Sequence, residues 1–330
     1  MLYYRDVCSL KVLCWAVIGC LSPLSFADST SQPQKSLEPT LKSASQEWFL
    51  STHEVISEKV SDWSNGLDSF FSGRRDKVAN QSFVSMRFGS IIDEGDGVSG
   101  FFNLDTRIRL PNTENRLNLV IETDGDELTQ DNRVSENEAG QNILQSARNT
   151  RVATALRYIK KEWNTNVDLG VLLDMPMDPF LRFKVAQSWK TGQWQWSQSE
   201  SLFSYYSLGN GGRYSLKADR RINDTYSTGV DFGATYLDSD SQTYWRENLY
   251  LTHALNRDSK LRYQLSYLQY GWPNLTSDTV LYFVQYQKLL YENWLIGEVK
   301  PQIAHARDND YEAALSLTLS LEVLLGQEYL

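Results

Sequence analysis

Cysteine is all but missing from this chain of 330 residues: Cys8, Cys14 and Cys20 are the only three. Because all of them precede residue 21, the remaining sequence can form no disulfide and offers no thiol chemistry. Histidine is equally scarce, at His53, His253 and His305. Scattered imidazoles with no cysteine near them supply neither a transition-metal ligand set nor a recognisable nucleophilic triad. There is no phosphate-binding glycine loop, no zincin motif and no internal repeat, so nothing calls for a cofactor. An excess of positive charge is absent too. The chain has 32 Lys and Arg against 41 Asp and Glu, a formal net charge of −9, which argues against nucleic acid as a partner. The apolar run 12–21 is too short to cross a bilayer as a helix.

What is present begins with that run. Arg5 and Lys11 precede it, and Ser25-Phe-Ala27 supplies small residues before Asp28. Residues 1–27 therefore read as a secretory signal peptide. Val17-Ile-Gly-Cys20 also fits a lipobox, in which Cys20 would be lipidated and become the mature N-terminus. Residues 28–45, rich in Ser, Gln, Pro, Thr and Lys, read as a flexible linker. In 46–72, Trp48, Phe49, Val55, Ile56, Val60, Trp63, Leu67, Phe70 and Phe71 recur at spacings near three and four. This is the period of a short amphipathic helix, broken near Asn65-Gly66. Such a helix could cap a barrel on its periplasmic side, lie on a membrane, contact a partner or pack on its own domain.

From about residue 80 the period changes to two. In 313–325, Ala313, Leu315, Leu317, Leu319, Leu321, Val323 and Leu325 take one face and Ala314, Ser316, Thr318, Ser320 and Glu322 the other, with Leu324 alone out of phase. Comparable alternation in 81–90, 99–110, 115–123, 150–161, 164–173, 179–189, 192–204, 212–221, 225–237, 242–253, 258–270, 278–289 and 292–306, with the last segment taken as 311–325, makes fourteen expected strands, or twelve if short neighbours merge. A soluble sandwich would also alternate, but many of these segments exceed the usual five or six residues. Aromatic rings gather near their ends, among them Trp163, Trp189, Trp194, Tyr206, Trp245, Trp272 and Trp294, as at the two interfaces of a bilayer. The fold expected is all-β: a transmembrane antiparallel β-barrel over 80–330, closed because no backbone group can stay unpaired in lipid.

Short connections at 111–114, 161–163, 190–191, 223–224, 254–257 and 290–291 fall on one side and would face the periplasm, with the N-terminal segment; connections such as 91–98 and 271–278 would face outward. The long connection 124–149 is strongly acidic, with Asp124, Asp126, Glu127, Asp131, Glu136 and Glu138. It lacks the ordered spacing of a calcium loop and reads as a solvated loop, or as a weak site for divalent cations or cation-bridged lipopolysaccharide.

The faces expected to point inward collect Arg87, Arg107, Arg109, Arg116, Arg157, Arg182, Lys184, Arg213, Lys217, Arg262 and Lys300, together with Asp105, Glu122, Asp168, Asp219, Asp231, Glu298 and Glu322. A wet interior so lined would favour small anionic solutes. The competing reading is a network of paired charges that fills the lumen. For catalysis, the arrangement to inspect is His253 with Ser266 on adjacent strands, as in an outer-membrane lipid hydrolase; no metal, cofactor or enzymatic role is otherwise expected.

With the signal peptide, the alternating strands and the final segment 315–330 in place, the chain resembles proteobacterial outer-membrane β-barrel proteins. The resemblance covers about 80–330, is one of architecture and not of motif, and leads to a family with no assigned activity. It implies outer-membrane lipid and lipopolysaccharide as surroundings and insertion by the barrel-assembly machinery. That machinery often reads a terminal aromatic residue, whereas here Tyr329 is penultimate and Leu330 last. Two functional readings follow: a porin-like passive channel for small hydrophilic or anionic solutes, or a non-conducting structural or interaction barrel.

Overall fold

Alternation over ten or more residues leaves a strand with one face for lipid and one for water, and such strands are satisfied only in a closed sheet. The computed structural model has that form. It describes residues 50–60, 62, 64, 65, 68, 82–94, 97–113, 116–123, 152–160, 164–173, 177–207, 209–239, 241–326 and 329. The signal peptide expected at 1–27, the linker at 28–45 and the acidic connection 124–149 lie outside these residues. The strands are β1 (Phe83–Asp93), β2 (Gly97–Leu110), β3 (Leu117–Thr123), β4 (Val152–Lys160), β5 (Thr165–Leu173), β6 (Asp178–Thr191) and β7 (Trp194–Tyr205), followed by β8 (Gly209–Arg221), β9 (Tyr226–Leu237), β10 (Gln242–Ala254), β11 (Ser259–Tyr270), β12 (Thr276–Tyr291), β13 (Leu295–Ala306) and β14 (Ala313–Leu325). Each pairs antiparallel with its sequence neighbours, and β14 returns to β1 in register from Val84 opposite Leu325 to Asp93 opposite Ser316. The result is a fourteen-stranded transmembrane β-barrel; the twelve-stranded alternative does not form.

The outward face carries exposed apolar side chains such as Leu169 (65%), Leu202 (67%) and Leu249 (54%), while Asp168, one residue from Leu169, is 2% exposed. The interior is not uniformly polar. Leu172, Phe180, Phe203, Tyr205 and Leu237 form a buried apolar cluster on the inward face. Glycines let these rings lie flat along the wall. A Cβ on Gly211 would stand 2.3 Å from the Phe203 ring and 2.6 Å from the Tyr236 carbonyl oxygen.

Strand ends correct the expected loops. Ile91 and Ile92 continue β1 opposite Ser99 and Val98, so the connection expected at 91–98 shrinks to 94–96, closed at Gly97 with φ 90°. The connection expected at 271–278 likewise shrinks to 271–275 as β12 starts at Thr276. Apart from 124–151, loop length therefore separates the two barrel ends poorly, because residues assigned to loops retain the pairing and alternation of their strands.

Residues 50–60 form a helix, α1, and residues 62, 64, 65 and 68 are also helical. Its packed stripe differs from the apolar one that the spacing suggests. His53, Ser57, Val60, Ser64 and Asp68 are buried, whereas Val55 and Ile56 are exposed; Trp48, Phe49, Trp63, Leu67, Phe70 and Phe71 lie outside the described residues. The reason is the surface being met, a rim of open backbone groups at the end of the barrel that holds the end of β14. His53 Nε2 donates to the Leu324 carbonyl at 2.8 Å and the imidazole stacks on Trp294 at 3.9 Å. The Gly326 amide donates to Ser57 Oγ at 3.2 Å, and the Asn112 amide donates to both Asp68 oxygens at 2.9 and 3.0 Å. β2 outruns β1 here, since Phe83 already pairs with Arg107. The Arg109 amide accordingly donates to Ser82 Oγ, and its carbonyl accepts from Ser64 Oγ. Polar side chains satisfy what strand pairing leaves open.

Replacing Gly211 with Val should destabilise the barrel by about 1–3 kcal/mol, the usual cost of overpacking. The measurement is urea-induced unfolding in detergent or lipid, read by tryptophan fluorescence.

Candidate pore lining

Strand register decides which side chains share the interior. Arg109 faces Asn118, Asn118 faces Arg157, Arg157 faces Asp168 and Asp168 faces Arg182, a row crossing β2 to β6 on one face. The same parity carries Arg107 and Asp105 on β2, Glu122 on β3 and Lys184 on β6. Arg213, Lys217 and Asp219 on β8 share it, as do Asp231 on β9, Arg262 on β11, Glu298 and Lys300 on β13, Glu322 on β14 and Arg87 on β1. Arg116 precedes β3 in phase with Asn118. The residues expected inward thus lie on the face opposite the exposed leucines.

Within that face the charges are unequally committed. Asp168 is the centre of one cluster: Arg157 donates to its two oxygens at 2.7 and 2.9 Å, and Arg182 donates through Nε and Nη2 at 2.9 and 2.7 Å. Glu122 stands 3.5 Å from each of the same guanidinium groups. Two arginines around one buried carboxylate satisfy it fully, and the Asp168 and Glu122 carboxylates offset the repulsion between the two guanidinium groups. A second cluster is centred on Glu298, which accepts from Arg87 at 2.6 Å and from the Gln285 and Gln287 amides at 2.7 and 2.9 Å. Glu322 accepts from Ser85 Oγ at 2.7 Å. Asp219 pairs with Lys217 at 3.1 Å and accepts from the Tyr250 hydroxyl, and Asp231 pairs with Arg246 at 3.2 Å.

Three cations are arranged differently. Arg262 donates to Gln264 at 3.0 Å and lies 4.1 Å over the Tyr250 ring; Arg107 lies 5.8 Å over the Phe83 ring. Neither they nor Lys184 have a carboxylate within ion-pair distance among the described residues. Arg213 donates to Thr235 at 3.1 Å, and the Lys300 ammonium sits 5.4 Å over Phe283.

Several interior groups were not legible as such. Arg246 and Tyr250 follow from the outward phase of Leu249 and Leu251, but tyrosine is apolar and polar at once and gives a weak phase signal. An aromatic ring near a strand end suits the bilayer interface, but register places Phe180, Phe203 and Tyr205 inside. His253 and Ser266 do occupy adjacent strands, yet His253 faces Leu261 and Ser266 faces Asn248. They lie on opposite faces of the sheet, so the pair cannot act together. His253 stacks instead on Tyr226 at 4.4 Å.

No family model matches the chain, and no curated protein matches it. Solved structures similar to it are bacterial outer-membrane barrels. Outer-membrane-expressed OmpT of Vibrio cholerae is 8% identical with a TM-score of 0.44, covering 76% of this chain and 99% of its own. The outer-membrane channel DcaP of Acinetobacter baumannii is 10% identical with a TM-score of 0.41, covering 76% and 97%. The KdgM porin is 10% identical with a TM-score of 0.34, covering 72% and 98%. At these values the likeness is one of fold alone.

Removing the Asp168 carboxylate, as in Asp168→Ala, leaves Arg157 and Arg182 facing each other and should cost about 3–5 kcal/mol. Urea titration against the wild type measures this loss, and Asp168→Asn should recover only part of it.

Proposed function

We propose that the chain is an outer-membrane channel through which small hydrophilic solutes diffuse passively, with a preference for anions. The observation that carries this reading is the imbalance of interior charge: the acids on the interior face are held by hydrogen bonds or ion pairs, whereas Arg107, Lys184 and Arg262 have no carboxylate partner among the described residues. Positive charge left over in a low-dielectric tube attracts anions. Barrel size supports it as well. Fourteen strands about 4.8 Å apart and tilted about 40° give a backbone radius of roughly 14 Å, more than one layer of side chains fills. The end bearing α1 would face the periplasm. Outer-membrane lipid and lipopolysaccharide would surround the wall, and the barrel-assembly machinery would insert it. No catalytic role is proposed.

A specific observation favours a second reading, a non-conducting barrel: the Phe180, Phe203 and Tyr205 cluster and the Asp168 network occupy interior volume on the β3–β9 side. Planar-bilayer recording separates the two. Stable open steps whose reversal potential moves toward that of the anion are expected, and a folded but silent barrel would establish the second reading. The combined variant Arg107→Gln, Lys184→Gln and Arg262→Gln should lower the anion-to-cation permeability ratio severalfold while conductance persists; an unchanged ratio would show that these residues do not line the path.

A further inference from the structure

One polar cluster lies on the wrong face for a lipid-exposed wall. Glu200 on β7 pairs in register with Val185 and Tyr214, on the face of Leu181, Phe183 and Leu202, and is exposed. Beside it Gln198, opposite Gln187, donates its amide to the Glu200 carboxylate at 3.0 Å. Gln187 is exposed and has no partner among the described residues. The depth is unfavourable for a carboxylate. Trp189 and Trp196, 6.3 Å apart, mark one aromatic girdle. Four residues of tilted strand place Glu200 about 10 Å inside it, within an apolar band about 25 Å tall. Next to the carboxylate runs an outward groove of about 460 Å³, floored by Gly212 and Ala234 and walled by Leu202 and Tyr236.

We infer that this face of β6–β9 binds a second copy of the chain across a two-fold axis along the bilayer normal. Lipid tails offer Glu200 no donor, so whatever covers it must bring N–H groups to the same depth. A second copy in the same membrane does so by symmetry. Its own Gln198, two residues along the same strand and paired with Gln187, lies about 5 Å from the depth of Glu200, within reach of a flexible side-chain amide that can donate to the facing carboxylate. An isologous contact uses the same patch twice, and here that patch holds both the acceptor and its donors. The large exposed side chain of Leu202 fits the partner's groove, whose floor is kept low by Gly212. This inference does not depend on whether the barrel conducts.

The test is the mass of the purified full-length chain, by sedimentation equilibrium in detergent, with unheated gel mobility reporting that the barrel is folded. A dimer is expected. Glu200→Leu, which suits a lipid-facing position better, should raise the dissociation constant about tenfold, the scale of one polar contact within a membrane. Gly212→Trp should do the same by filling the groove; a Cβ there meets nothing closer than 3.5 Å, so the barrel itself can accept the side chain. With Cys8, Cys14 and Cys20 replaced by Ala, Leu202→Cys should form an intermolecular disulfide in liposomes. A folded wild type that stays monomeric overturns the inference, as does a dimer that neither variant weakens. A monomer that retains lipopolysaccharide on this face, released by Glu200→Leu, overturns it too and makes lipid the occupant.

Discussion

The pairing of β1 with β14 is the contact on which the rest of this molecule depends. Every other strand pairs with its sequence neighbours through a short connection or the single long one, but Phe83–Asp93 must meet Ala313–Leu325 across more than two hundred residues. Without it two edges of unpaired N–H and C=O groups would face lipid, which offers them nothing. Closure then fixes the parity of all fourteen strands together. A slip of one residue at the seam would set Arg87 beside Leu321 or Val323, so that one of the two strands turned its polar side chains to the lipid and its apolar ones to the interior. The strength of the seam lies in that consistency.

Closure also concentrates charge. Bending the sheet brings side chains of the concave face closer than their backbones, so Arg182 on β6 reaches Glu122 on β3, and Arg87 on β1 reaches Glu298 on β13. Both pairs skip intervening strands. Such clusters act as rivets on the wall, and among the described residues they leave Arg107, Lys184 and Arg262 without a carboxylate partner. At the open rim the same need for partners recurs. There the answer is a helix that presents His53, Ser57, Ser64 and Asp68 to strand ends.

Most of the wall was legible in the residues themselves. Leu315 to Val323 alternate with Ser316 to Glu322 because each strand has one apolar and one wet side, and the same rule placed Arg107, Asp168, Lys184 and Arg262 on the interior face. Three features escaped it. Phe180, Phe203 and Tyr205 are interior although aromatic, because rings laid over Gly170 and Gly211 avoid the lumen axis. Val55 and Ile56 suggested the packed face of α1, but a rim of open backbone groups selects hydrogen-bonding side chains. Leu324 broke the alternation, and its backbone proves to be held on both sides, by the Trp294 carbonyl and by His53.

The amino-acid sequence by itself determined the faces of most strands and hence the class of fold, because a period of two is a local property that each segment carries alone; closure of the sheet decided for fourteen strands over twelve. Tertiary structure decided which interior charges meet, which remain unmatched, and which polar residues, such as Glu200, stay on the lipid side. Those outcomes depend on register between strands and on curvature, which bring together residues that no spacing along the chain connects.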